Sequence, residues 1–328
     1  MSGGEPGDLL AAVRADPIIG PYADALERHA RPSIRLRSDR GASRYVGESR
    51  VGGWPDVPEG FQWPTRHVRT PTPSAASVAG QYFGPLSPPT DMPSTFGFIA
   101  QIDLSSVTHL DRDGLLPHEG TLLFFYHDVD QADVDQPPDL TPMSWPMRDD
   151  ELEVGQREAW FDEVEQTRVI HVPGGVALEP SLDGPTTPYS LQLVASQDVT
   201  LPSVLSLIVA KSTESTDESA GQVVLPPDAW MRLAEIAHEH RANADIDQML
   251  GWADNSAHGP SMPPEPLPGM ESNLASDLFE TQDARLLLQL SPATYEPTGI
   301  RFGRTLYFYA RESDLRRGDF SRAWYDSD

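Results

Sequence analysis

Two stretches of this chain carry apolar and polar positions in the same order. The first is Phe98-Ile99-Ala100-Gln101-Ile102-Asp103-Leu104, a polar connector ending at Gly120, then Thr121-Leu122-Leu123-Phe124-Phe125-Tyr126. The second is Leu286-Leu287-Leu288-Gln289-Leu290, a polar connector, then Thr305-Leu306-Tyr307-Phe308-Tyr309. Short apolar runs bounded by turn residues predict buried strands, so each stretch reads as a pair of strands. A glutamine interrupts the first strand of each pair, Gln101 and Gln289, and a Thr-Leu pair opens each second strand. Strand periodicity puts Phe98, Ala100, Ile102 and Leu104 on one face and Gln101 and Asp103 on the other. A buried amide must find hydrogen-bond partners. Gln101 is therefore expected to clamp the backbone of a neighbouring loop, with a ligand contact as the weaker reading.

Outside these pairs the pattern is more broken. Asp8 can cap a short helix with Leu9, Leu10 and Val13 inward, and a second helix is predicted from Pro21 to Pro32. Ile34 and Leu36 alternate with Arg35 and Arg37, as in a half-exposed strand. Residues 65–94, rich in Pro, Ser and Thr, read as an irregular loop. Strand-like pieces recur at Arg168–Val172 and Leu191–Val194, and Val204–Ala210 is a short apolar run. Asp228 caps a helix reaching about Arg241, with Trp230, Leu233, Ala234 and Ala237 as its apolar stripe.

A Gly-Trp pair precedes each two-strand unit. Gly53-Trp54 is followed by Pro55-Asp56, and Gly251-Trp252 by Ala253-Asp254. Glycine lets the backbone turn sharply or pass close to another segment. Each indole is expected to plug a core, in preference to lining a pocket, because buried aromatics usually pack. The order Gly-Trp, Pro-rich loop, Gln-strand, turn, Thr-Leu strand occurs twice, which predicts an internal duplication. The expected fold is α+β and mostly β. It is one unit with a helical lead (1–45), a first β-rich half (46–200) and a second (201–328).

These blocks also carry a resemblance. Gly52-Gly53-Trp54-Pro55, Ala100 through Leu104, Leu116 through Phe125, Gln248 through Trp252 and the closing Gly303 through Trp324 resemble the YwqG-like family of uncharacterised bacterial proteins. The match runs from about Gly47 to Trp324. The chain departs at Ala253, where the family often has proline, and in its long acidic middle. The resemblance implies a mostly β, internally duplicated fold in cytoplasmic bacterial proteins. It brings no catalytic residues.

Composition narrows the function classes. The 32 prolines and 25 glycines fit many turns and few long helices. The absence of cysteine removes disulfides, thiolate catalysis and cysteine metal sites. No signal-like N-terminal run or membrane-length apolar run is present, so the expected location is the cytoplasm. Net charge is −26, from 24 basic and 50 acidic residues. Such a surface repels nucleic-acid phosphates and anionic membranes and steers in a basic protein or peptide, besides keeping the chain soluble.

No nucleotide-binding, nucleophile-elbow or metalloprotease motif occurs, and no cofactor is implied. His238 and His240 are two apart on the predicted helix, roughly 200° around it, a poor spacing for joint metal binding. Asp111-Arg112-Asp113-Gly114 and Asp128, Asp130, Asp133 and Asp135 lack calcium-loop spacing and read as solvated turns. His118-Glu119 and His127-Asp128 flank one strand at opposite ends, with no marked nucleophile. Catalytic residues are therefore unassigned. The candidate binding or structural motif is Gly53, Trp54, Gln101, Gly251, Trp252 and Gln289. The expected function is a non-catalytic protein- or peptide-binding module with an acidic surface. The alternative is an enzyme or small-molecule-binding protein with its site in a cleft between the halves.

Overall fold

The computed structural model describes residues 8–39, 45–69, 91–126, 167–202, 225–241, 247–253, 284–291 and 305–327. The chain opens with helix α1 (Asp8–Ala15), which ends before Pro17, and after a 3-10 turn at Gly20–Tyr22 continues as α2 (Ala23–His29). The predicted stop at Pro32 comes late. The helix ends at His29, and Pro32 is already the second residue of strand β1 (Arg31–Asp39). Strands β2 (Arg50–Gly53), β3 (Asp56–Val57), β4 (Thr65–Arg69), β5 (Asp91–Thr95) and β6 (Gly97–Asp103) follow. Then come a short helix α3 (Leu104–Val107), β7 (Thr121–Tyr126), β8 (Thr167–Val172), β9 (Glu179–Pro180) and the long β10 (Thr187–Thr200). Helix α4 (Pro227–Arg241), β11 (Gln248–Met249), β12 (Ala284–Leu290), β13 (Leu306–Arg311), a one-turn helix α5 (Glu312–Leu315) and β14 (Trp324–Ser327) complete the order.

Ten strands join one antiparallel sheet in the order β14-β13-β12-β11-β1-β10-β2-β6-β7-β8. A twisted sheet this wide curls, because each strand is rotated in the same sense from its neighbour. Its ends meet. Tyr126 on β7 and Tyr325 on β14 lie with ring centroids 4.7 Å apart and hydroxyls 3.2 Å apart. Phe124 and Phe308 pack edge to face at 5.1 Å. The result is a near-barrel whose interior is filled by Ile34, Leu36, Val51, Ala100, Ile102, Leu122, Phe124, Met249, Leu288, Leu290, Leu306 and Phe308. Leu104, Val107, Leu115 and Leu116 join this core from the connector after β6, and Leu315 and Phe320 join it from the segment after β13. The fold is mostly β with few helices. Among the described residues no helix is long and apolar enough to cross a membrane.

Several expectations are corrected here. Phe98 does not share a face with Ala100 and Ile102. A bulge between Phe98 and Ala100 shifts the register, so Phe98 packs outside the barrel with Phe96, Leu123 and Phe125. β12 has a bulge at the matching place, between Leu286 and Leu288, and Leu286 lies outside with Tyr307 and Tyr309. Residues 65–69 and 91–95, expected within an irregular loop, pair residue for residue as β4 and β5. The strand read at Ile34 and Leu36 is β1, and it is buried rather than half-exposed, because it lies at the centre of the sheet between β10 and β11. Helix α4 buries Ala229, Leu233 and Ile236, whereas Ala234 is exposed. The predicted stripe was rotated, and α4 meets Leu9, Val13 and Leu26 of the N-terminal helices. Val204–Ala210, the aspartates from 128 to 135, His127, Asp254 and the side chains of Trp230 and His238 lie outside the described residues.

Candidate functional site: the two Gly-Trp turns

Each Gly-Trp pair follows a short strand that bridges a long central strand and a glutamine-bearing strand. β2 lies between β10 and β6, and β11 lies between β1 and β12. Consecutive left-handed residues close β2 and follow β11 directly. Gly52 and Gly53 have φ of 71° and 71°, and Leu250 and Gly251 have 59° and 74°. A side chain at the second position has no room. A Cβ on Gly53 would lie 2.8 Å from Ser190 Cβ, and one on Gly251 would lie 2.5 Å from Thr200 Oγ1 and 2.7 Å from Ser33 Cβ. Ser190 and Ser33 each sit one residue before the position that pairs with the β2 or β11 residue, Leu191 with Val51 and Ile34 with Met249. Glycine is required at both turns for φ and for close approach together.

The hydrogen bonds around the turns match as well. Arg50 donates to the Trp54 carbonyl, and Gln248 Nε2 donates to the Trp252 carbonyl at 2.8 Å. Ser49 O accepts from Leu193 N of β10 at 2.8 Å, and Asp247 O accepts from Leu36 N of β1 at 2.9 Å. Ser49 Oγ accepts from Asp103 N at 2.9 Å, and Asp247 Oδ1 accepts from Ser291 N at 2.7 Å. Gln101 opposes Arg50 in the ladder and Gln289 opposes Gln248. Both glutamine side chains are fully buried.

At the first turn Gln101 clamps the loop. Its Oε1 accepts from Asp56 N at 2.9 Å, and its Nε2 donates to Glu48 O and Asp56 Oδ2, both at 2.9 Å. Asp56 Oδ2 also accepts from Gly47 N at 2.7 Å and Arg50 Nη1 at 2.8 Å. Burial pushes the Asp56 carboxyl upward, but the bonds from Arg50, Gly47 and Gln101 outweigh it and hold the group below the usual carboxylate range. The donors and acceptors are spent on one another, as in a structural clamp. At the second turn Gln289 Oε1 accepts from Gln248 Nε2 at 3.2 Å.

The two tryptophans differ in their surroundings. Trp252 is half-buried. Its Nε1–H donates to the His29 carbonyl at 2.7 Å, its backbone N–H donates to Thr200 Oγ1 at 2.8 Å, and the Arg31 guanidinium lies 3.4 Å over its ring. Burial and the nearby Arg285 cation push the Arg31 guanidinium down to about 9, so it is still charged at neutral pH. Trp54 is 38% exposed, and among the described residues no cation stands over its ring. The expected core plug is therefore wrong for Trp54 and only half right for Trp252. What the sequence did not mark is the cover, Arg31 at the start of β1. The one available signal was a proline-serine pair ahead of each central apolar run, Pro32-Ser33 and the more loosely spaced Pro188-Tyr189-Ser190.

The surface around the first turn is apolar and aromatic with an acidic edge. Tyr45 and Val46 immediately precede Gly47 and are exposed, as are Tyr189 on β10 and Leu182. Leu182 is brought to the turn because Ser181 N donates to the Pro55 carbonyl at 2.9 Å. Glu59 is exposed five residues after Trp54, and the exposed Glu179 and Asp183 come from the paired segment, with Glu179 opposite Val57 in the β3–β9 ladder.

The other candidates serve the fold. The Asp111 carboxylate accepts from Leu115 N and Leu116 N at 2.6 and 2.8 Å, shaping the connector that enters the barrel. Asp198 on β10 takes Arg35 on one oxygen and faces His240 Nε2 at 3.5 Å with the other, tying α4 to the sheet. Burial pushes the Asp198 carboxyl upward, and His240 and Arg35 reverse this and hold it below its usual range. Among the described residues no three His, Asp or Glu side chains converge as a metal site would require. A search of curated proteins finds no match. A family model, described as a domain of unknown function (DUF1963), matches residues 49–328. That range takes in both Gly-Trp turns and both glutamine strands, and the chain belongs to the DUF1963 family.

Proposed function

We propose that this protein is a non-catalytic binding module of the cytoplasm that takes a basic protein or peptide segment on the surface around the first Gly-Trp turn. The observation that carries this reading is the exposure of Trp54 on a turn whose backbone is fixed by Gln101, Asp56 and Arg50. A rigid aromatic loses little entropy when a partner covers it, which is why tryptophan and tyrosine dominate binding hot spots. Tyr45, Val46, Leu182 and Tyr189 supply further apolar area beside it, and the net charge of −26 favours a basic partner. We read the two halves as copies of one duplicated unit. The mirrored strand order about β1 and β10, the matched bulges and the matched turn hydrogen bonds support that reading. On this view one copy's tryptophan was covered and the other was left open.

The test is selection of peptides from a random display library against the full chain, repeated with Trp54→Ala. Basic, aromatic-containing peptides are expected to enrich, to bind more weakly as salt rises, and to lose about tenfold or more in affinity for Trp54→Ala, the scale of a hot-spot truncation. Absence of enriched binders, or binders indifferent to Trp54→Ala, overturns the proposal.

A further inference from the structure

The second turn shows what sits on a tryptophan held this way. The Arg31 guanidinium stands 3.4 Å above the Trp252 ring, at the outset of the central strand that pairs with β11. A planar cation over an indole face is attracted by the ring's negative π-cloud, and guanidinium, weakly hydrated and flat, suits the stack better than ammonium. At the first turn the corresponding central strand is β10. Arg31 lies three residues before Ile34, which pairs with Met249, whereas on β10 the register shifts between Thr187 and Ser190, and the stretch ahead of Leu191, Thr186-Thr187-Pro188-Tyr189-Ser190, holds no basic residue. That stretch brings no cation, and the ring of Trp54 carries no cation among the described residues.

We infer that the open indole of Trp54 receives an arginine side chain from a bound peptide, in the manner in which Trp252 receives Arg31. The inference rests on the reading of this surface as a peptide-binding face and names the group that the peptide must present. Three observations carry it. The turns share backbone conformation, with consecutive left-handed residues and a buried donor to the tryptophan carbonyl in each. The chain itself fills one of them with a guanidinium. The segments that pair with the chain just after the open one carry exposed acids, Glu179 opposite Val57 and Asp183 two residues beyond Ser181, which bonds Pro55, in a chain with 26 more acidic than basic residues. Arg31 is partly buried beside Arg285, with Glu312 and Asp113 acting on it through their charge, and the Trp252 indole face is its stacking partner.

The experiment reads the indole N–H signals of uniformly nitrogen-15-labelled full-length protein, with the Trp54 signal assigned by its disappearance in Trp54→Phe. The probes are three capped tripeptides, acetyl-Gly-X-Gly-amide, with X as arginine, lysine or citrulline. Citrulline keeps the shape of arginine and removes the charge. The Trp54 signal is expected to shift saturably with the arginine peptide, about two- to fivefold more weakly with citrulline, and with lysine in between, while the Trp252 signal stays in place under Arg31. An unmoved Trp54 signal, equal responses to arginine and citrulline, or equal shifts at Trp54 and Trp252 would each overturn the inference. Its failure is distinct from failure of the binding-module reading. Selected peptides that lack arginine yet still need Trp54 would leave that reading standing and remove this one.

Discussion

A carboxylate that is 1% exposed, as Asp56 is, stays ionised only where donors replace the water it has lost. Gly47 N, Arg50 Nη1 and Gln101 Nε2 do so. Because the folded carboxyl titrates below its ordinary value of about 3.9, the stability it contributes is fully present above that pH. It is lost as pH falls through the lower, folded value. Asp56→Asn is therefore expected to destabilise the protein at pH 7 by about 3–5 kcal/mol, the usual cost of leaving a buried cation such as Arg50 without its partner. It should also flatten the fall in stability at acid pH. Urea unfolding at a series of pH values from 7 down to about 3 measures both effects. A variant that keeps the full acid dependence would show that the cluster contributes little to it. Arg31 is a different case, a partly buried cation stacked on an aromatic face, with Glu312 and Asp113 opposing the burial and the Arg285 charge that push it down.

At the scale of the element, the turns depend on space as much as on dihedral angle. Gly60 and Gly251 have nearly the same φ, 75° and 74°, but a Cβ on Gly60 would meet nothing within 4 Å while one on Gly251 meets Thr200 and Ser33. Gly60→Ala should cost only the left-handed backbone penalty, about 1–2 kcal/mol. Gly251→Ala should cost that and more, because β1 and β10 must move apart. Denaturant midpoints of the two variants give the comparison, and equal losses would mean that the close approach is not tight.

The strand pairs were legible because alternation, turn residues and the Gln and Thr-Leu landmarks all agreed. Their registers were legible only in part. A bulge is one extra residue with no composition of its own, so Phe98 and Leu286 leave the interior without any mark in the pattern. The stripe on α4 was misplaced because alanine packs well on either side of a helix, and contact with the N-terminal helices decides which alanine is covered. Gln101 could be read as a clamp from its burial and chemistry alone. Which loop it holds follows from β2 and β6 pairing across a long sequence separation. The cover on Trp252 was out of reach for the same reason, since Arg31 and Trp252 meet only after β1 has entered the sheet.

For the molecule as a whole, the sheet order is mirrored about β1 and β10, and the far strands come together through Tyr126 and Tyr325. The family match begins at residue 49, beyond β1, yet β1 occupies the centre of the sheet and its first residue covers Trp252. Two turns of the same construction are thus set to different ends, Trp252 held inside the assembly and Trp54 presented outside it. Thermal unfolding of Trp54→Ala and Trp252→Ala, measured side by side with the wild type, tests this most directly. Trp252→Ala loses its indole hydrogen bond to His29, its stack with Arg31 and buried ring area, and is expected to cost about 2–4 kcal/mol, toward the lower range for a large aromatic because it is only half-buried. Its melting temperature should fall by several degrees. Trp54→Ala removes a more exposed ring with no cation over it among the described residues, and should stay within about 0.5–1 kcal/mol of wild type, as exposed substitutions do. Equal destabilisation by the two variants would contradict the account, because it would make Trp54 a support of the fold rather than an exposed anchor for a partner.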